Sequence, residues 1–231
     1  MKLDRVIAVR NNRTVYRDDD RAVKVFVSGY KKSDILSEAM SQTLMEEIGL
    51  PVPGVLETSM IDGKWSIVSE YISGKTLERL MAEEPERADE YMDLFVELQN
   101  LIHSKTCPSL AKLGDKISCR LAVAKLYGEL EADIRARICE MQSQNNVCHG
   151  DFVPSNVIVD EDGSPYIIDW AHATQGSRYA DIAKTYVSLL MKGEEKTAEL
   201  YLDKICKNAI IEKQEIKKWV PMIAVFETAS K

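Results

Sequence analysis

Two apolar, β-branched runs on either side of an Asp-Gly turn, with polar side chains at their open end, constrain this chain more than any other feature. Val157-Ile158-Val159 and Tyr166-Ile167-Ile168 flank Asp160-Glu161-Asp162-Gly163-Ser164-Pro165. Asp-Gly between apolar runs signals a hairpin. Folding the chain about Asp162 sets Asn156 and Asp169 opposite each other at the open end. Asp151 lies in the loop that enters the first strand, within His149-Gly150-Asp151-Phe152-Val153-Pro154-Ser155-Asn156. Hard cations such as magnesium prefer oxygen ligands and often take only one or two carboxylates plus substrate phosphates. Asn156 and Asp169 side by side meet that need, and Asp151 is then free to orient an attacking hydroxyl. The competing interpretation is an ordinary surface turn with polar ends. His149 reads as a loop-orienting residue rather than a metal ligand, because no second His or Cys stands at ligand spacing. Cys148 reads as a small buried hydrophobe.

The order His, one residue, Asp, four residues, Asn is that of the kinase catalytic loop. Gly150 stands where protein kinases usually carry Arg, and Asp169 is followed by Trp170 rather than Phe-Gly. The His-Gly-Asp and Ile-Asp-Trp motifs together resemble the aminoglycoside phosphotransferase and choline kinase-like family of small-molecule kinases. The resemblance runs over nearly the whole chain. It implies an α+β, two-lobed, protein kinase-like fold, with a small β-sheet N-lobe carrying one helix and a mainly helical C-lobe. It also implies transfer of the γ-phosphoryl group of a magnesium nucleotide, ATP or GTP, to a hydroxyl of a small molecule. Asp151 would be the catalytic base, with Asn156 and Asp169 as the magnesium ligands.

Composition sets outer bounds. The chain has 231 residues and a formal net charge of −7. That length suits one large domain or two small lobes with ample core. The acidic balance argues against nucleic acid as a main partner. No apolar run is long enough to span a membrane, and Met1-Lys2-Leu3-Asp4-Arg5 lacks the apolar region of a signal peptide. Five cysteines without a Cys-x-x-Cys pair fit free thiols in a reducing cytoplasm.

The amino-terminal third predicts three short strands, Arg5 to Val9, Thr14 to Arg17 and Ala22 to Val27, joined by turn-rich connections. Lys24 is central in the third strand. A lysine inside an apolar strand is costly to bury without an anionic partner, and a nucleotide phosphate and a helix carboxylate are both candidates. The next helix is expected between a Ser33 cap and Gly49. Its apolar stripe is Leu36, Met40, Leu44 and Ile48. Glu38 lies off that stripe, and by resemblance it is the helix Glu that pairs with Lys24. Kinases commonly cover the phosphates with a glycine-rich loop. The equivalent turn here, Arg10-Asn11-Asn12-Arg13-Thr14, has no glycine. Asn tolerates left-handed backbone, and Arg10 or Arg13 can supply charge in place of backbone amides.

Trp65 to Ile72 alternates like a strand, Ser73-Gly74 breaks it, and Thr76 can cap a helix starting at Leu77. This marks a hinge, with an N-lobe over 1–72 and a C-lobe over 73–231. The resemblance implies adenine-edge contacts at Glu70, Tyr71 and Ile72. Tyr91 to His103 is expected to be helical, with His103 in a structural role, and Ile117 to Met141 forms one long helix or two short ones. Ala171 to Gly176 reads as a polar loop. Asp181 resembles the family's structural Asp that anchors the catalytic loop, with His149 supporting the same loop. The short segment after Asp169 leaves no room for docking a protein substrate. With Gly150 in place of Arg, activation by loop phosphorylation is not expected. Interspersed lysines in the carboxy-terminal helices argue against a polycationic aminoglycoside acceptor. The rival readings are a pseudokinase nucleotide-binding module, an atypical protein kinase, and a metal-dependent hydrolase. The intact Asp151, Asn156 and Asp169 oppose the first, the short segment opposes the second, and Lys24 and the hinge would serve no purpose in the third.

Overall fold

The structure is a computed structural model that describes residues 5–10, 12–121 and 129–228. In chain order the elements are strands β1 (Arg5–Arg10), β2 (Arg13–Asp18) and β3 (Arg21–Phe26), helix α1 (Lys32–Glu47), and strands β4 (Val55–Ile61), β5 (Lys64–Glu70) and β6 (Gly74–Thr76). Helices α2 (Leu77–Glu83), α3 (Ala88–His103), α4 (Leu113–Leu121) and α5 (Glu129–Met141) follow. Then come β7 (Asn146–Cys148), β8 (Val157–Asp160), β9 (Pro165–Ile167) and β10 (Thr174–Gly176), and helices α6 (Arg178–Met191), α7 (Glu195–Ala209), α8 (Lys213–Lys217) and α9 (Val220–Thr228). The centre of the expected Ile117-to-Met141 helical stretch, and Asn11 of the β1–β2 turn, lie outside the described residues. The chain divides into two compact units, Met1–Arg79 with Ser155–His172, and Leu80–Pro154 with Ala173–Lys231. The 155–172 segment therefore groups with the amino-terminal sheet, although it follows the first helices of the other unit in sequence.

The first unit is built on an antiparallel sheet in the order β1-β2-β3-β5-β4. Lys24 pairs with Val15 on one side and Ile67 on the other, and Ala22 pairs with Ser69. Directly paired residues share a sheet face, so Val15, Ala22, Lys24, Phe26, Ile67 and Ser69 point the same way. Phe26, Ile67, Ile35 and Ala39 form a buried cluster that seats α1 on that face. Strand β4 escaped the sequence reading. Its Val-Leu-Glu-Thr-Ser-Met-Ile run alternates poorly, because Leu56 and Met60 are exposed at the sheet edge.

Helix α1 corrects two expectations. Its N-cap is Lys31, without a side-chain cap, rather than Ser33. Its buried face is Ile35, Glu38, Ala39, Ser41, Gln42 and Met45, while Leu36 and Met40 of the expected stripe are exposed. The cause is polar anchoring: Glu38 bonds Lys24, and Gln42 Nε2 donates to the Pro53 carbonyl at 2.7 Å. At the other end, Gly49 with φ 76° lets its own N–H reach Glu46 and the Leu50 N–H reach Met45. That is the helix-terminating pattern glycine favours.

The hairpin of β8 and β9 pairs Val157 with Ile167 and Ile158 with Tyr166. Asp160 Oδ1 accepts the N–H groups of Asp162 and Ser164, and Gly163 takes φ 84°. These bonds close the turn in the way short acidic side chains commonly do. Strand β6 pairs antiparallel with β8, so the Ser73-Gly74 break is the start of a further strand. Thr76 Oγ1 accepts the Arg79 N–H at 3.2 Å and caps α2, as expected.

In the second unit, Phe95 of α3 stacks on Phe152 at 4.3 Å, and Tyr201 of α7 meets Phe95 edge-on. Residues 174–176, expected as loop, form the buried strand β10 paired with β7. The sequence concealed this because the strand is polar. Gln175 compensates by donating to the Leu110 and Pro108 carbonyls. No helix among the described residues is long and apolar enough to cross a membrane.

Candidate active site

A cavity of about 280 Å³ opens on the α1-bearing face of the sheet. Its walls include Val15, Ala22, Lys24, Ile67 and Ser69 from the sheet, Glu70, Tyr71 and Ile72 from the hinge, and Asn156 and Asp169 from the hairpin. Sheet register delivers Lys24 to this cavity and hairpin register delivers the two oxygen-bearing residues. The Ile168 N–H donates to the Asn156 carbonyl at 2.9 Å, which extends the β8–β9 ladder and places Asp169 one residue beyond it. Asp169 adopts φ 69°, a left-handed backbone unusual for a residue other than glycine. The next residue, Trp170, is fully buried, with its indole N–H on the Ile167 carbonyl, and its turn packs against α1. Burial of Trp170 thus fixes the direction in which Asp169 points.

Lys24 Nζ lies 2.5 Å from Glu38 Oε1 and 3.4 Å from Asp169 Oδ1. The Glu38 side chain is 3 % exposed, so this carboxylate is buried and paired. Asp169 Oδ2 accepts a charge-assisted bond from Arg13, at the start of β2. Arg13 also donates to the Asn12 side chain. Sequence reasoning named Arg13 only as a possible source of charge, and its pairing with Asp169 was missed. The signal available was the missing glycine, which left room for a side chain in the turn. Among the three hinge residues, the Tyr71 N–H donates to the Asp20 carbonyl at 2.8 Å and the Glu70 N–H to the Gly54 carbonyl at 3.0 Å. The Tyr71 ring carries the Arg17 guanidinium on its face, 4.1 Å away. Two of the three hinge N–H groups, those of Glu70 and Tyr71, are therefore committed within the fold.

Asp151 belongs to the second unit, where a buried network shapes its loop. Its own N–H donates to His149 Nδ1 at 3.2 Å. The Gly150 N–H donates to Asp181 Oδ1 at 2.8 Å, and the His149 N–H approaches Oδ2 at 3.4 Å. Gly150 takes φ 78°, which suits glycine and explains why no longer side chain occupies this position. His103 Nε2 lies 2.9 Å from the same Oδ2. Burial pushes the Asp181 carboxyl up, but the His103 contact and the Gly150 N–H outweigh it and hold the group below the usual carboxylate range. His103, expected only to be structural, is thereby the partner of Asp181. Burial also pushes the Cys148 thiol well up, so it is a packing residue and not a nucleophile.

Three of the carboxy-terminal lysines form ion pairs. Lys204 pairs with Asp89 and Asp93 of α3, and Lys213 and Lys218 pair with Asp203 and Glu215.

Comparison with known proteins shows the family and the fold. The model of the phosphotransferase enzyme family matches residues 5–209. The chain belongs to this family. A search of curated proteins returned no match. The fold of this phosphotransferase is similar to that of aminoglycoside phosphotransferase APH(3'')-Id from Streptomyces rimosus, solved with ADP and streptomycin. That similarity has TM-score 0.72 and 17 % identity, over 94 % of this chain and 91 % of that one. It is also similar to the choline kinase LicA from Streptococcus pneumoniae, with TM-score 0.60 and 18 % identity over 98 % and 86 % of the two chains. A thermostable APH(4)-Ia variant, solved with AMP-PNP and hygromycin B, matches with TM-score 0.65 and 14 % identity over 97 % and 86 %. The fold is protein kinase-like.

Proposed function

We propose that this phosphotransferase moves the γ-phosphoryl group of a magnesium nucleotide, ATP or GTP, to a hydroxyl of a small molecule. The observation that carries the reading is Lys24, held between buried Glu38 and Asp169 in a cavity that also contains Asn156. A lysine fixed in this way can place its charge on nucleotide phosphates without losing side-chain entropy at the moment of binding. Nucleotides in similar folds support a nucleotide co-substrate. The Glu70 carbonyl and the Ile72 N–H would take the base edge, with the Tyr71 amide committed to Asp20.

The donor set fits magnesium. Asn156 and Asp169 offer one amide oxygen and one carboxylate, and no three His, Cys, Asp or Glu side chains gather into a metal cage among the described residues. So few protein ligands suit an ion that keeps phosphate oxygens and waters. When bound, the ion would neutralise charge developing on the phosphates. Asp151 would accept the acceptor's hydroxyl proton and aim its oxygen, while His149 and Asp181 hold the loop that carries it. Catalysis then rests on positioning and charge rather than on a covalent intermediate. The unpaired cysteines fit a reducing cytoplasm.

A transfer screen tests this proposal. The chain is incubated with γ-labelled MgATP or MgGTP and sugars, amino alcohols, nucleosides and aminoglycosides, and labelled product is followed. Label should appear on at least one hydroxyl compound and not on protein. Label on protein alone, or nucleotide binding with neither transfer nor hydrolysis, would contradict it.

A further inference from the structure

The β1–β2 turn has no glycine, and its register is tight: Arg10 pairs directly with Arg13. With no glycine to bring the backbone close, a side chain at this edge of the cavity can supply the charge that meets a phosphate. Arg13 is the side chain in place. It lines the cavity, is 16 % exposed, and lies on Asp169 Oδ2 while Lys24 lies on Oδ1. Both oxygens of Asp169 are thus held by cations of this chain. A guanidinium binds carboxylate and phosphate through the same planar fork, with little difference in geometry between the two.

We propose that Arg13 exchanges partners during nucleotide binding: it caps Asp169 before the metal nucleotide arrives and then moves its guanidinium onto the phosphates. This rests on the kinase reading above. It makes Arg13 a competitor of the metal at Asp169 and an ally of the nucleotide, two effects of opposite sign. A residue that merely braces the turn would not show that pair of effects. The exchange also supplies, from one side chain, the phosphate contact that glycine-loop kinases draw from backbone amides.

The full-length Arg13→Gln variant separates the two effects. With nucleotide absent, half-saturation by Mn²⁺, followed by water-proton relaxation, should fall roughly threefold to tenfold because the competing cation is gone. Affinity for MgATP should weaken about tenfold with loss of a charge-assisted phosphate contact. Binding of adenosine, which has no phosphate, should stay as in wild type. Arg13→Lys, which keeps the charge, should restore part of both phosphate and metal effects. Unchanged metal and MgATP affinities overturn the proposal, and so does equal weakening of adenosine and MgATP, which would mean a structural brace. If wild type itself binds no MgATP, the kinase reading falls with it; if wild type binds and turns over while the variant matches it, only the exchange falls.

Discussion

Asp181 shows how one buried carboxylate can hold a loop in shape. It accepts from Gly150 and His149 and meets His103 within 2.9 Å. Its position in α6 was legible in the sequence through resemblance, but His103 as its partner was not, since the two are far apart in the chain. Because its carboxyl sits below the usual range in the fold, the stability it confers is present above the ordinary carboxylate pKa and is lost as pH falls below it. Asp181→Asn should lower stability near pH 7 by about 2–3 kcal/mol, since a buried charge-assisted network is broken. Wild type should lose stability progressively as pH drops below about 4, whereas the variant should show a shallower acid limb. Thermal unfolding midpoints of both proteins across that range check this; parallel curves would contradict it.

At the scale of elements, legibility followed the local signal. The β8–β9 hairpin announced itself through two β-branched runs and Asp-Gly, and β1 to β3 through their turns. Helix α1 was placed correctly, but its buried face was not. Leu36 and Met40 looked like core, yet the helix is seated by Glu38 and Gln42, whose partners Lys24 and Pro53 come from elsewhere in the chain. Strand β10 was hidden for the same reason: its polar residues are satisfied by Leu110 and Pro108, which local pattern does not show. Gly74, which with Ser73 follows the end of β5 as a break, is also a contact point between β6 and β8. A Cβ there would stand 2.1 Å from the Val159 carbonyl oxygen. Gly74→Ala should therefore force β6 off β8, costing about 1–3 kcal/mol, and should weaken nucleotide binding because Gly74 also lines the cavity. Urea unfolding and a nucleotide titration of the variant test both effects, and wild-type values in each would show that the strands part without cost.

For the molecule as a whole, the chain is a phosphotransferase by family and protein kinase-like by fold. The sheet unit gathers Lys24, Asn156 and Asp169 around one cavity, with Glu38 paired to Lys24, and the helical unit braces the loop of Asp151 from Asp181. Membership of the family was legible because the His149-Gly150-Asp151 and Ile168-Asp169-Trp170 motifs that carry the resemblance lie close together in sequence. The glycine-free turn was legible only as a departure, because the Arg13 side chain there meets a partner 156 positions away in the chain. The central claim is that Asp151 drives hydroxyl-directed transfer while the sheet unit holds the nucleotide. Its most direct test is the Asp151→Asn variant, with turnover on the best acceptor from the screen and MgATP affinity measured on the same preparation. Turnover should fall by about 10²–10⁴-fold, the usual contribution of a general base, while MgATP affinity stays at the wild-type value. Turnover within a few-fold of wild type would contradict the account.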